Sequence, residues 1–214
     1  MRCKGTKKRA KNQINNKKMI VNMMRKGFLM LAASLLLTTS CKQKVQVTEK
    51  IQVVDSETGA PIDVASATEP GNTFVDIALP GPQGQTVWVG DYVGQNKLVL
   101  IDFWASWCGP CMAEMPYVVK AYERFHAKGL EIVGVSLDKD KASWLAAIEQ
   151  TGQKWPQMSD LKGWDCLGAQ FYGIQSIPAN VLIDEHGKIV ARDLRGDALL
   201  EEIESRLTAG AVTE

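Results

Sequence analysis

One pair of cysteines has a spacing that suits redox chemistry. Cys108 and Cys111 are separated by Gly109 and Pro110, which places both sulfurs on the first turn of a predicted helix, close enough to form a disulfide. The thiolate is the reactive form of cysteine, and unpaired backbone N–H groups and the helix dipole stabilise it at a helix N-terminus. We therefore expect Cys108 to be the nucleophile and Cys111 to be the resolving thiol.

The same Cys-x-x-Cys spacing occurs in half of a zinc site. Tetrahedral zinc needs two further ligands, and the other candidates, His126, Cys166 and His186, have no ligand-like spacing. We expect both histidines at the surface, one at a helix end and one in a hairpin turn. We also expect Cys166 to be a partly exposed spectator, with a third redox thiol as the alternative. The sequence thus favours a redox pair and no metal.

A buried strand, a helix and a second strand are predicted around the pair. The run Leu-Val-Leu-Ile at residues 98–101 is typical of a strand covered on both faces. Apolar residues then recur at three- and four-residue spacing from Cys111 to about Lys128, and Gly129 follows as a C-terminal cap. With a strand predicted at 130–137, the pair lies at the start of the helix in a parallel strand-helix-strand unit.

The other predicted elements complete a mixed α/β sheet with helices on both faces. An N-terminal hairpin extension is predicted at 74–79 and 85–89, and a weaker one at 51–54 and 62–64. Helices are predicted at 141–151 and 161–172, the second with Trp164, Leu167 and Phe171 on its apolar face. A hairpin at 180–184 and 188–194 precedes a last helix, capped at Asp197, that buries Leu199, Ile203 and Leu207.

The residues around the pair resemble a known family. The stretch 102–111, Asp-Phe-Trp-Ala-Ser-Trp-Cys-Gly-Pro-Cys, resembles thioredoxin almost residue for residue. Glu114 and Pro116 follow at the spacing of the exported TlpA and ResA group, and Ser176-Ile177-Pro178 resembles the cis-proline loop of that group. The resemblance covers about residues 74–207 and implies a thioredoxin fold and a thiol-disulfide oxidoreductase that needs no cofactor beyond its own disulfide.

Two carboxylates are candidates for proton chemistry. Asp102 ends an apolar strand, so we expect burial to raise its pKa and let it accept the Cys111 proton; a strand-end carboxylate that faces water is the alternative. Many members of the resembled group carry Asn at this position. Because this chain carries Asp there, we expect its proton chemistry to be closer to that of thioredoxin. Glu114 shares a helix face with Cys111 and either tunes that thiol or is a solvated charge.

The resemblance also implies a substrate surface. Trp107, Gly109 and Pro110 supply an apolar platform beside the cysteines, and the backbone of Ile177 pairs with an extended substrate peptide. The cis bond before Pro178 is expected from the resemblance alone, since few X-Pro bonds are cis.

The N-terminal sequence has the features of a targeting segment. Arg25 and Lys26 precede an apolar run at 28–37, which suits a signal peptide and is too short for a membrane span. Ser40-Cys41 follows as in bacterial lipoproteins, so we expect Cys41 to be acylated; a secretory segment with an incidental cysteine is the alternative. We divide the chain into a signal peptide at 1–40, a lipidated polar tether at 41–72 and a thioredoxin-like domain at 73–214.

Charge is distributed unevenly along the chain. The whole chain has a formal net charge of +1, but the part after residue 40 has 15 basic and 24 acidic residues. Because the basic excess lies in the leader and not on a folded surface, nucleic-acid binding is not expected.

These features predict an exported enzyme, lipid-anchored in the cell envelope on its periplasmic or extracytoplasmic side. Gly-Pro between the cysteines resembles thioredoxin, whose potential of about −270 mV favours a reductase over an oxidase. The partners expected are protein disulfides and a transmembrane thiol electron donor, and the resemblance suggests cytochrome c maturation. The alternatives are a peroxiredoxin-like antioxidant, although the Thr and Pro framework is absent before Cys108, and a non-catalytic lipid-anchored binding or chaperone module.

Overall fold

A computed structural model describes residues 64–209, with side chains from residue 66. The signal peptide, Cys41 and most of the predicted tether lie outside these residues. So does the predicted hairpin at 51–54 and 62–64, except that Val64 begins helix α1 (Val64–Ala67).

A five-stranded mixed sheet forms the centre of the fold, as predicted. Its strands are β3 (Leu98–Trp104), β4 (Leu130–Ser136), β5 (Gln157–Met158), β6 (Ala179–Asp184) and β7 (Ile189–Arg192). The spatial order is β5-β4-β3-β6-β7, with β4 parallel and β6 antiparallel to β3. Every residue of β3 and β4 is buried, so both faces of the central sheet are covered.

The helices follow the predicted pattern with one exception. They are α2 (Gly109–Phe125), α3 (Lys141–Thr151), α4 (Leu167–Phe171) and α5 (Gly196–Ala209). A short 3-10 helix extends α2 to Lys128, and Gly129, with φ of 108°, caps it as expected. Leu199, Ile203 and Leu207 are buried as predicted, although α5 begins at Gly196 and Asp197 lies in its first turn.

The prediction of a single helix at 161–172 is wrong. Gly163 has φ of +63°, a conformation that ends regular helix, so the segment divides into a 3-10 turn at Gly163–Asp165 and the short α4. Trp164 is therefore 47% exposed, whereas Phe171 is buried.

The predicted N-terminal hairpin is present in shorter form. Strands β1 (Ala78–Pro80) and β2 (Thr86–Trp88) pair antiparallel. Contacts of the domain also extend into residues assigned to the tether, because Arg192 donates hydrogen bonds to the backbone carbonyl and the side chain of Thr68. Thr68 is fully buried.

Candidate active site

The cysteine pair lies at the N-terminus of α2. Cys108 is the N-cap residue of this helix, and its sulfur accepts a hydrogen bond of 3.1 Å from the backbone N–H of Cys111. The two sulfurs form a disulfide with an Sγ–Sγ distance of 2.01 Å. Cys108 is 5% exposed and Cys111 1%. The backbone dipoles at the helix start favour a thiolate on Cys108, which is also the sulfur with more access to solvent.

The loop that leads into Cys108 is held by a buried carboxylate that the sequence analysis did not single out. Asp138 is 1% exposed and accepts hydrogen bonds from the backbone N–H of Ser106 at 3.0 Å and from its hydroxyl at 2.5 Å. Ser136 adds a third bond at 2.7 Å. One signal could have found it, because Asp138 closely follows β4, and the ends of parallel strands β3 and β4 meet at the same sheet edge.

The loop at residues 176–178, called the cis-proline loop, forms the opposite wall of the site. The peptide bond between Ile177 and Pro178 is cis, which confirms the expectation from the resemblance. The carbonyl oxygen of Ile177 lies 3.7 Å from the sulfur of Cys108. The backbone of this loop is therefore adjacent to the sulfur of Cys108, in a position where an extended peptide could pair with it.

Asp102 is buried in the central strand of the sheet. It is 3% exposed and lies opposite Gly134 and Asn180 on the neighbouring strands. Burial raises the pKa of Asp102 to about 7, the positive charge of Arg195 opposes this rise, and Glu114 adds to it. The predicted burial is confirmed, and the water-facing alternative is wrong.

Glu114 and Arg195 connect α2, α5 and the cis-proline loop. The carboxylate of Glu114 accepts a 2.7 Å hydrogen bond from the backbone N–H of Gly196, so Glu114 is not simply a solvated charge. Arg195 donates hydrogen bonds to the carbonyls of Pro178 and Leu194. Arg195 could not be predicted from the sequence, because its contact with Pro178 joins two separate segments of the chain.

A groove of about 310 Å³ opens on the Trp107 side of the site. Trp107 is 55% exposed, and its ring centroid lies 6.4 Å from that of Trp164. Leu137, Gly163 and the buried Asp138 contribute to the lining. The exposed Trp107 agrees with the expected apolar platform, and Gly109 and Pro110 are exposed beside it.

Cys166 does not belong to the site, and the expectation that it is partly exposed is wrong. Cys166 is completely buried, and burial raises the pKa of its thiol to about 12. A thiol in such surroundings stays protonated at neutral pH and reacts slowly.

The described residues hold no group of three or more His, Cys, Asp or Glu side chains arranged to bind a metal. His186 is exposed, and His126 lies at the end of α2 with its ring stacked on Tyr122. Among residues 64–209, no helix is long and apolar enough to cross a membrane.

Comparisons with known proteins agree with this geometry. The profile of the Redoxin family matches residues 69–205. The chain is 30% identical over 139 residues to the thiol-disulfide oxidoreductase ResA of Bacillus thuringiensis subsp. konkukian, covering 65% of this chain and 77% of that protein. It is 33% identical over 137 residues to ResA of Bacillus thuringiensis strain Al Hakam, covering 64% and 76%.

The solved structures that resemble this chain include further thiol-disulfide oxidoreductases. The thioredoxin domain of a thiol-disulfide oxidoreductase from Bacteroides vulgatus is 35% identical, with a TM-score of 0.59 and coverage of 65% of this chain and 98% of that domain. A thiol-disulfide oxidoreductase from Bacteroides fragilis is 28% identical, with a TM-score of 0.58 and coverage of 63% and 98%.

Proposed function

The chain belongs to the Redoxin family and, with its ResA relatives, is a thiol-disulfide oxidoreductase of the thioredoxin superfamily, and on this premise we propose that it reduces the disulfides of exported proteins through Cys108 and Cys111. One observation carries the proposal. The sulfur of Cys108 caps a helix N-terminus and lies 3.7 Å from the carbonyl of Ile177, so a reactive sulfur and a peptide-pairing backbone are next to each other.

The first step is attack by the Cys108 thiolate on a substrate disulfide. A bond forms between Cys108 and one substrate sulfur, the substrate S–S bond breaks, and the other substrate sulfur leaves as a thiolate that takes a proton from solvent. The helix terminus lowers the free energy of the attacking thiolate, so this step needs no side-chain base.

The second step is resolution of the mixed disulfide by Cys111. Asp102 accepts the proton of the Cys111 thiol, and the resulting thiolate attacks the sulfur of Cys108. The disulfide between Cys108 and Cys111 forms, and the second substrate sulfur leaves as a thiolate and is protonated. Two electrons have then passed from the enzyme dithiol to the substrate disulfide. A carboxyl with a pKa of about 7 can take up and release a proton near neutral pH, which supports Asp102 in this role. Glu114 adjusts that exchange through its charge.

Substrate binding uses backbone and apolar contacts and therefore tolerates many sequences. Ile177 pairs with the substrate main chain, while the exposed Trp107, Gly109 and Pro110 and the half-buried Pro178 offer a platform around the sulfur.

The direction of electron flow and the location of the protein complete the proposal. Gly109-Pro110 resembles thioredoxin and favours a reductase. An oxidising compartment then requires a donor that supplies two electrons and two protons, and a transmembrane thiol protein is suited to this. A lipid on Cys41 holds the domain at the membrane, on the extracytoplasmic side of the cell envelope.

Turnover assays with cysteine variants test this function. The purified protein should reduce insulin disulfides with dithiothreitol, Cys108→Ser should abolish turnover, and Cys111→Ser should trap the mixed disulfide. Thiol trapping in cells should find the pair mostly reduced. Cys166→Ser is the matched control and should retain turnover. A pair trapped mostly as disulfide would indicate an oxidase, and full biological activity of both active-site variants would indicate a binding module without turnover.

A further inference from the structure

Two adjacent residues at the start of α5, Arg195 and Gly196, contact both walls of the cysteine site. Arg195 donates a hydrogen bond to the carbonyl of Pro178 in the cis-proline loop. The next residue, Gly196, donates its backbone N–H to Glu114, which lies one helical turn after Cys111. This dipeptide therefore connects the loop that faces the reactive sulfur to the helix that carries it.

The guanidinium of Arg195 is fixed from several sides. One of its nitrogens donates to the carbonyl of Leu194 at 2.7 Å, a second donates to Pro178, and the carboxylate of Asp193 lies 3.8 Å away. Hydrogen bonds from a charged donor are stronger than neutral ones. The contact with Pro178 is thus made by a positioned group, and its loss would remove a charged hydrogen bond from the loop.

The start of α5 is also tied to the strand opposite Asp102. Leu194, the residue before Arg195, is hydrogen-bonded through its backbone to the side chain of Asn180, and Asn180 lies opposite Asp102 in the sheet. The charge of Arg195 therefore acts on Asp102. Burial is the main cause of the raised pKa of Asp102, Arg195 opposes it, and Glu114 from α2 adds to it. Asp193 partly neutralises Arg195 in turn. Arg195 is the cation that favours the ionised carboxylate, which is the form able to accept a proton.

We propose that Arg195 is a positioning residue that couples the two parts of the exchange reaction, holding the cis-proline loop for substrate and keeping a positive charge beside Asp102. The inference rests on the proposed function, since it assigns the loop to substrate and Asp102 to the proton of Cys111. Loss of Arg195 then has two separate consequences. The KM for a protein disulfide rises because the loop is held less firmly, and resolution requires a higher pH because Asp102 stays protonated to higher pH.

The test compares three variants with the wild type. Arg195→Met removes the charge and the donors, and Arg195→Lys restores the charge and one donor. Arg124→Met is the matched control, because Arg124 also joins α2 to α5, through a 3.2 Å ion pair with Glu204, but is exposed and makes no such contact with the loop. The readouts are KM and kcat for insulin reduction and the pH midpoint of resolution, measured by stopped flow. Urea melts establish that each variant is folded.

The expected result is a several-fold rise in KM and an upward shift of the pH midpoint for Arg195→Met. Arg195→Lys should restore the midpoint and part of the KM, and Arg124→Met should match the wild type. If Arg195→Met does not fold, Arg195→Lys carries the test, with a raised KM and an unchanged midpoint expected. If the wild type is active, an unchanged KM or an unchanged midpoint in Arg195→Met overturns this inference alone. Where Arg195→Met does not fold, a wild-type KM in Arg195→Lys does the same. A wild type without turnover overturns the proposed function and the inference with it.

Discussion

The carboxyl group of Asp102 links the stability of the fold to its chemistry. Burial raises its pKa from 3.8 to about 7, whereas in the unfolded chain it loses its proton near pH 4. Between these values the native state binds more protons than the unfolded state. The free energy of unfolding therefore falls as the pH rises from about 4 to about 7. A shift of this size corresponds to roughly 4 kcal/mol.

Replacing Asp102 by Asn should stabilise the protein above pH 7 and slow resolution. Asn is neutral at every pH, so the gain in the free energy of unfolding approaches roughly 4 kcal/mol at pH 8 and vanishes below pH 4. Without the proton acceptor, the resolving step should slow by about 10² to 10⁴, while alkylation of Cys108 changes little. Urea melts at both pH values and stopped-flow turnover measure these effects.

Asp91→Asn is the matched control for this prediction, because Asp91 is exposed at the end of a 3-10 helix. It should change neither stability nor turnover. If Asp102→Asn behaved like this control, the proton of Cys111 would go to Glu114 or to solvent.

Single residues were predictable where their chemistry depends on local sequence. The burial of Asp102 follows from the apolar strand that contains it, and the placement of Cys108 follows from the helix that starts beside it. Arg195 and Asp138 could not be assigned in this way, because their partners, Pro178 and Ser106, lie on other segments. Cys166 was misplaced because its burial depends on packing and not on helix periodicity.

At the scale of elements, the loop before Cys108 depends on the end of the neighbouring strand. Ser106 donates hydrogen bonds from both its N–H and its hydroxyl to Asp138. The direction in which the chain enters α2 is therefore fixed by a residue that follows β4. Any loosening of this contact changes the position of Cys108 relative to the helix dipole.

Ser106→Ala should therefore weaken both the fold and the attack of Cys108. Loss of a hydroxyl bonded to a buried carboxylate lowers the free energy of unfolding by about 1.5 to 3 kcal/mol, and a less firmly held N-cap should raise the pKa of Cys108 in the reduced enzyme. The measurements are urea melts and the pH dependence of Cys108 alkylation.

Ser143→Ala controls for the loss of the same kind of bond, because Ser143 donates its hydroxyl to Asp140 at 2.6 Å in an exposed setting. The control should leave the pH profile of Cys108 unchanged. A Ser106→Ala profile identical to that of the control would show that Asp138 supports the fold but not the thiolate.

Element boundaries were predictable where end signals are local. Helix α3 has the predicted bounds, with Asp140 accepting the N–H of Ser143 at its start and Gly152 in a left-handed conformation at its end. The segment at 161–172 has the apolar spacing of a helix, but the left-handed Gly163 interrupts it. Spacing alone cannot show whether a glycine inside an apolar pattern ends a helix or continues it.

At the scale of the whole molecule, the sheet assembles the site from separate parts of the chain. The end of β3 lies beside the end of parallel β4 and the start of antiparallel β6. Trp104 pairs with Ser136, and Phe103 pairs with Ala179. The cysteine helix, Asp138 and the cis-proline loop consequently meet at one edge, which is why the resemblance to a known fold predicted the site more fully than local patterns could.

The proposed location of the molecule depends on Cys41, which lies outside the described residues. The apolar run at 28–37 meets Ser40-Cys41, and we predict that mature protein begins at an acylated Cys41. Mass spectrometry of the membrane fraction should find diacylglycerol on this residue. Cys41→Ala should prevent the acylation, and the variant protein should be lost from the membrane fraction.

Cys3→Ala is the control for the anchor, because it removes a cysteine of the same predicted leader and should leave the protein in the membrane fraction. Cys41→Ala should retain insulin reduction as a purified protein, since the proposed catalytic contacts lie within residues 102–196. Its effect should appear in cells, where a domain detached from the membrane loses proximity to a membrane-bound electron donor and accumulates as the Cys108–Cys111 disulfide. Unchanged membrane association of Cys41→Ala would refute the lipid anchor, and an unchanged redox state despite release would show that the donor reaches the domain without it.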